Sequence, residues 1–143
     1  MQIAALLENR ASADIISCAP EATLHDAVRI LAEKRIGAMP VMSGNEVVGI
    51  ISERDVMYCL AAEGGNALGK SVREAMTSPV ITVECTASCN EALALMTQRR
   101  FRHLPVVEDG AMRGFLSIGD LVKSRLDEVS DEANAMRQYI TMA

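Results

Sequence analysis

Pro40-Val-Met-Ser-Gly-Asn-Glu-Val-Val-Gly-Ile-Ile-Ser-Glu-Arg-Asp55 and Pro105-Val-Val-Glu-Asp-Gly-Ala-Met-Arg-Gly-Phe-Leu-Ser-Ile-Gly-Asp120 decide how the rest of the chain is read. Each opens on Pro-Val, turns at Gly44-Asn45 or Asp109-Gly110, resumes in an apolar run, and closes on Gly, two apolar residues, Ser and an Asp three further on. Laying Pro40 over Pro105 sets an offset of 65 residues that holds without a gap from Ile16 over Ile81 to Asp55 over Asp120. Ala22/Ala87, Ala27/Ala92, Arg35/Arg100, Gly49/Gly114 and Ser52/Ser117 are identical in that register, and Thr23/Ser88 and Asp26/Glu91 are chemically matched. A register this long without insertion means one structural unit written twice.

Working outward from these segments, each copy reads in the same order. A short apolar stretch, Ile15 to Cys18 or Val80 to Val83, precedes Thr23-x-x-Asp26 or Ser88-x-x-Glu91, a capping-box pattern that starts a helix. Leu24, Ala27, Val28 and Leu31, and Cys89, Ala92, Leu93 and Met96, then recur at helical spacing and predict one buried stripe per copy. Two β-type runs around the turn predict a hairpin, and Ser52 and Ser117 open a second helix. The unit is β-α-β-β-α, an α+β fold in which two motifs pack as a pseudo-twofold pair, since a copy of about fifty residues is marginal alone. The expected organisation is an N-terminal helical segment at 1–11, a first motif at 12–62, a linker at 63–78, a second motif at 79–126 and a helical tail at 127–143. Within it Gly64, Gly65 and Gly69 mark Glu63 to Ser71 as a flexible connection too weakly apolar to carry core, and a short helix from Val72 to Met76 leads back into the second copy before Pro79.

With 50% hydrophobic residues, two Phe, two Tyr and no Trp, the core must be aliphatic and Met-rich. A net charge of −5 argues against a nucleic-acid backbone as partner. No apolar run approaches the roughly 20 residues that span a bilayer, and the opening MQIAALLENR has no basic start, so no membrane contact and a cytoplasmic location are expected. Cys18, Cys59, Cys85 and Cys89 form no C-x-x-C pair, which predicts free thiols in a reducing compartment, with a Cys85/Cys89 metal or redox pair as the sharper alternative. No P-loop, nucleophile elbow or metal cluster is legible, so the chain is not expected to be an enzyme.

Gly49-Ile-Ile-Ser-Glu-Arg-Asp55, Gly114-Phe-Leu-Ser-Ile-Gly-Asp120 and Arg100-Phe-Arg-His-Leu-Pro-Val106 resemble the motifs of cystathionine-β-synthase (CBS) domains, and the resemblance covers roughly residues 12 to 126. The ending Ser117-Ile-Gly-Asp-Leu-Val122 with its helical tail is similar to stand-alone CBS-pair proteins of bacteria and plant organelles. The resemblance implies a regulatory module that binds AMP, ADP or ATP, in some members NAD or S-adenosylmethionine, and acts on a partner protein. In plant relatives that partner role is associated with thioredoxin. It also implies two cross-copy sites. One joins Ile81, Thr82, Val83, Arg102, His103, Leu104 and Pro105 to Ser52, Arg54 and Asp55; the other joins Ile16, Ser17, Cys18, Ala38, Met39 and Pro40 to Ser117 and Asp120.

The residue types suit that chemistry. A carboxylate accepts hydrogen bonds from two vicinal ribose hydroxyls, a helix start and a forked Arg favour phosphate, and adenine needs apolar walls. Arg54, Arg102 and His103 gather positive charge in the first cleft, and the second has no matching group in these motifs. The bland readings are that Ser52-x-x-Asp55 and Ser117-x-x-Asp120 only cap helices, and that Arg99, Arg100 and Arg102 only form a solvated face. Leu126, Val129, Ala133, Met136 and Ile140 give the tail an apolar face that its own body, a second copy in a homodimer, or a regulated protein could cover. A ligand-independent interaction module is the alternative function.

Overall fold

The computed structural model describes residues 1–8 and 15–142. Helix α1 (Ile3–Glu8) is followed by α2 (Leu24–Lys34), the hairpin β1 (Ala38–Ser43) and β2 (Glu46–Ser52), and α3 (Glu53–Glu63). A 3-10 segment (Gly64–Gly69) and α4 (Val72–Ala75) lead to the second copy: α5 (Cys89–Arg99), β3 (His103–Glu108), β4 (Ala111–Ser117) and α6 (Ile118–Met142). Both hairpins are antiparallel, with the same register shift at Val41/Met42 and Val106/Val107. Helices α2 and α5 each end on an arginine in the left-handed conformation, Arg35 at φ 54° and Arg100 at φ 58°. The repeat therefore extends to backbone detail.

The capping pattern at Thr23 forms in full and that at Ser88 by half. Thr23 and Asp26 exchange hydrogen bonds at the start of α2, whereas at the start of α5 the Ser88 hydroxyl accepts from Glu91 N without a return bond from the Glu91 carboxylate. Leu24, Ala27 and Leu31, with Met39, Val41 and Ile51 below them, form one core; Cys89, Ala92 and Met96, with Leu104, Val106 and Leu116, form the other. The two hairpins meet through β2 and β4, and Met112 N donates to Asn45 O at 3.1 Å between the copies.

The apolar stretches expected as a first strand in each copy are reduced to single parallel bridges, Cys18 to Val41 and Val83 to Val106. Proline is the reason. Cys18 N donates to Pro40 O and Met42 N to Cys18 O, so the next bond toward the N-terminus would need an N–H on Pro40. Val83 repeats the pattern with Pro105 and Val107. Ladder growth toward Ile16 and Ile81 has no donor, and those segments stay outside the sheets.

The Glu63–Ser71 connection is a second departure from expectation, because through Ala67 it does carry core, and Val72 just beyond it joins the same core. Ala67 and Val72 are fully buried with the first copy, where Val72 N donates to Ala22 O at 2.8 Å. Helix α1 serves the second copy in the same way: Ile3 is fully buried and its N–H donates to Ala87 O at 2.9 Å. Thr23 bridges Ser71 as Ser88 bridges Gln2. Each copy is thus completed by a short helix lying upstream of the other in sequence, and complete burial of Ile3 alone contributes about 1.5–3 kcal/mol. Glycine count misled the reading of that connection, since one small residue, Ala67, suffices to join the core.

Gly49 and Gly114 admit these helices. A Cβ on Gly49 would collide with the Met76 side chain and stand 3.1 Å from Thr77 O, while a Cβ on Gly114 would stand 2.6 Å from a methyl of Leu7. Gly49→Ala should therefore destabilise the chain by about 1–3 kcal/mol, and Gly114→Ala by less, because a leucine tip can move aside and a hydrogen-bonded backbone carbonyl cannot. Thermal denaturation of the two variants checks the order; equal losses would show that the backbone contact is not the limiting one.

Candidate functional site

The end of β2 turns directly into α3, and that turn forms the first wall of the site. Ser52, the N-cap, accepts from Asp55 N at 3.2 Å, and the Asp55 Oδ2 accepts from Ser52 N at 3.0 Å and from the Ser52 hydroxyl at 2.9 Å. The Thr77 hydroxyl, arriving from the linker, donates to the other oxygen, Oδ1, at 3.0 Å. The bridge between Ile50 and Thr77 brings it there, through hydrogen bonds of 2.8 and 3.1 Å in both directions. Capping and site geometry are not competing readings, because the bonds that cap α3 also orient the Asp55 carboxylate.

The second copy supplies the opposite wall. Arg100, left-handed, ends α5 and hands the chain through Phe101 and Arg102 to His103 at the start of β3. Ile81, kept out of the sheet by Pro105, is 39% exposed on the same side. Together with Ser52, Arg54, Asp55 and Thr77 these residues line a cleft of about 740 Å³ between the copies. Arg54, Arg99, Arg100 and Arg102 all border it, against Glu53 and Asp55 as its acids. Among the described residues none of those four guanidinium groups makes an ion pair.

Of the first expected set, the cleft brings together Ser52, Arg54, Asp55, Ile81, Arg102 and His103. Thr82, Val83, Leu104 and Pro105 are not on its wall: Thr82 is exposed, Val83 is occupied in its bridge, and Leu104 and Pro105 are buried. Thr77, Arg99, Arg100 and Phe101 line it without having been singled out as site residues. Phe101 stands over Ile36 in the repeat register, and an aromatic ring in a chain with so few was the available signal. Thr77 carried none, since only tertiary folding brings the linker to Asp55.

His103 needs a correction. It was expected to add positive charge, but burial pushes its pKa below the ordinary 6.5, with Asp120 opposing and Arg102 assisting that shift. The ring stacks on Phe115 with centroids 5.5 Å apart and planes at 11°. At neutral pH it is a neutral, partly apolar surface, and the arginines carry the charge.

In the second set, the Asp120 carboxylate accepts from Ser117 N at 2.8 Å and Ser117 Oγ accepts from Asp120 N at 3.2 Å, capping α6. Ala38, Met39 and Pro40 are buried and Ile16 packs against the first core, while Ser17 is exposed. Cys18 is buried too, which raises its thiol pKa to about 11. All four cysteines are free thiols. The Cys85 thiol lies 3.7 Å from the Glu108 carboxylate, whereas Cys89 is buried beside Ser124, so the two occupy separate environments. Among the described residues no cluster of His, Cys, Asp or Glu could hold a metal, and no helix is long and apolar enough to cross a membrane.

Fold and cleft together define a two-copy repeat module whose described cavity is walled by both copies. The chain belongs to the CBS domain family, whose model matches residues 8–62 and 72–127. It is 34% identical over 128 residues to the mitochondrial CBS domain-containing protein CBSX3 of Arabidopsis thaliana, spanning 86% of this chain and 62% of that one, so it covers under two thirds of that relative's length. A crystal structure of a CBS-domain containing protein from Agrobacterium tumefaciens superposes with a TM-score of 0.81 at 34% identity, covering 87% of this chain and 99% of that one. The crystal structure of CBSX2 in complex with AMP superposes with a TM-score of 0.71 at 29% identity, over 80% of this chain and 90% of that one.

The His103 shift has a signed consequence. Because the folded chain holds this group below 6.5, the unfolded chain takes up its proton first as pH falls. The stability that depends on the neutral ring is whole above about pH 6.5, declines below it, and levels off once pH passes the folded value. His103→Gln should therefore flatten the fall of the thermal midpoint between about pH 7 and pH 5.5; an unchanged slope would mean the ring titrates normally.

Proposed function

We propose that this chain is a non-catalytic regulatory module that binds an adenine nucleotide in the cleft between its two copies and thereby acts on a partner protein. One observation carries the reading: four guanidinium groups without ion-pair partners among the described residues line the same cleft as a carboxylate already oriented by Ser52 and Thr77. The Asp55 Oδ1 accepts one bond from Thr77 and keeps a second lone pair for a ribose hydroxyl. In this reading Arg54 and Arg102, lining the cleft from different copies, hold the phosphate, and Ile81, Phe101 and the neutral His103 offer apolar surface to the base. The relative CBSX2, crystallised with AMP, supports the ligand class. A surplus of guanidinium over carboxylate favours ADP or ATP over AMP, because each added phosphate finds a further partner. A second copy of the chain is the assembly partner in this reading.

Calorimetry with adenosine, AMP, ADP and ATP tests it, with NAD and S-adenosylmethionine as comparators. Affinity should rise with phosphate number in the adenosine series. Arg54→Ala should weaken ADP binding about tenfold or more, since a charged hydrogen bond contributes about 1.5–3 kcal/mol. Asp55→Asn should do the same to all four adenosine ligands, and Asp120→Asn should spare the strongest event. If Asp120→Asn removes that event and Asp55→Asn does not, the site lies at the other cap. Flat titrations with every ligand would instead support a ligand-independent interaction module, one that could act on a redox protein such as thioredoxin.

A further inference from the structure

Helix α6 runs for 25 residues, about 37 Å at 1.5 Å per residue, but only its first half has a body to rest on. Leu121 and Ser124 are buried, and Glu128 is held by the N-terminal amine of Met1 at 2.9 Å. From Val129 to Met142 every residue is exposed. A helix segment of that length standing alone in water is marginal, so a partner surface is needed to keep it helical.

The pattern of its apolar residues says what kind of partner. Val122, Leu126, Val129, Ala133, Met136 and Ile140 follow one another at steps of 4, 3, 4, 3 and 4, a strict heptad seam rather than the wider stripe of a helix lying on a globular body. Its large members are between 43% and 65% exposed. At 3.6 residues per turn the seam lies roughly a third of a turn away from Leu121, Ser124 and Glu128. The face that holds the body and the face that carries the seam are separate, and pairing along the seam leaves α6 seated where it is.

We propose that this half of α6 forms a parallel two-stranded coiled coil with the same helix of a second copy of the chain. Charges flanking the seam choose both partner and direction. In a parallel pair Glu132 meets Arg137 of the partner twice over, by symmetry, and Arg125 meets a neutral serine. An antiparallel pair that keeps the six apolar layers would set Glu132 against its own copy and Lys123 against Arg137, both repulsive. The assignment rests on a second copy as assembly partner and is independent of the nucleotide cleft, which one chain completes by itself.

Sedimentation velocity on the full chain decides it. The unaltered chain should be dimeric at micromolar concentration. Val129→Lys with Met136→Lys should raise the dimer dissociation constant at least about a hundredfold, since two charges per helix would enter an apolar seam. Nucleotide binding should be unchanged in that variant, because both positions are exposed and remote from the cleft residues. Glu132→Arg and Arg137→Glu should each weaken self-association, and mixing the two variants should restore a dimer, now of unlike chains. Three results would overturn the proposal. A dimer surviving the double lysine variant places the second copy elsewhere and leaves the assembly reading intact; stronger self-association of Arg137→Glu makes the pairing antiparallel; a monomeric unaltered chain removes the second copy altogether.

Discussion

Two glycines that leave room for a crossing chain are the constraint on which the rest depends. Gly49 and Gly114 sit mid-strand in β2 and β4 and are both buried beneath a neighbouring segment, Met76-Thr77 over the first and Leu7 over the second. Close approach of that kind is open to glycine because no side chain projects from its Cα. With it, α4 and α1 seat Val72 and Ile3 in the two cores; without it, the Met76-Thr77 crossing would have to shift its backbone and the Leu7 side chain would have to move aside. Each core is consequently closed by a short helix that lies upstream of the other copy in sequence.

The same contact builds the cleft. Thr77 reaches Asp55 because the linker crosses Gly49, and a few residues later the chain passes Ile81 on its way to the bridge at Val83. Pro105 then withholds the N–H that would have drawn Ile81 into the second sheet. One wall is thus a helix start whose donors and carboxylate are pre-oriented, and the other is an irregular segment with apolar side chains and arginines on show. Fixed polar groups opposite an adaptable apolar and cationic surface are the usual division of labour in a small-molecule cleft. Burial of His103 sharpens it by leaving the charge to the arginines.

Much of the molecule was legible in the residues. The 65-residue register predicted two like units, and capping boxes at Thr23 and Ser52 together with the turn residues Gly44 and Asp109 placed the helices and hairpins. These features act over three or four neighbouring residues, where the energetics of a cap or turn are nearly independent of context. The family motif likewise brought Ser52, Arg54, Asp55, Arg102 and His103 to notice. Less legible were Thr77, Phe101 and the buried linker residues Ala67 and Val72, because their roles come from partners distant in sequence.

What the sequence determined by itself, then, is the repeated unit, its elements and the chemical types available at each cap. What the tertiary structure decided is which caps face which walls. It made the Ser52–Asp55 turn the rim of an arginine-lined cleft, buried Cys18, Ala38 and Met39, and turned an expected cationic histidine neutral. Local bonds are specified by adjacent residues, but desolvation and the meeting of charges depend on how much water a neighbour from elsewhere in the chain displaces, and that is set only when the two copies close on each other.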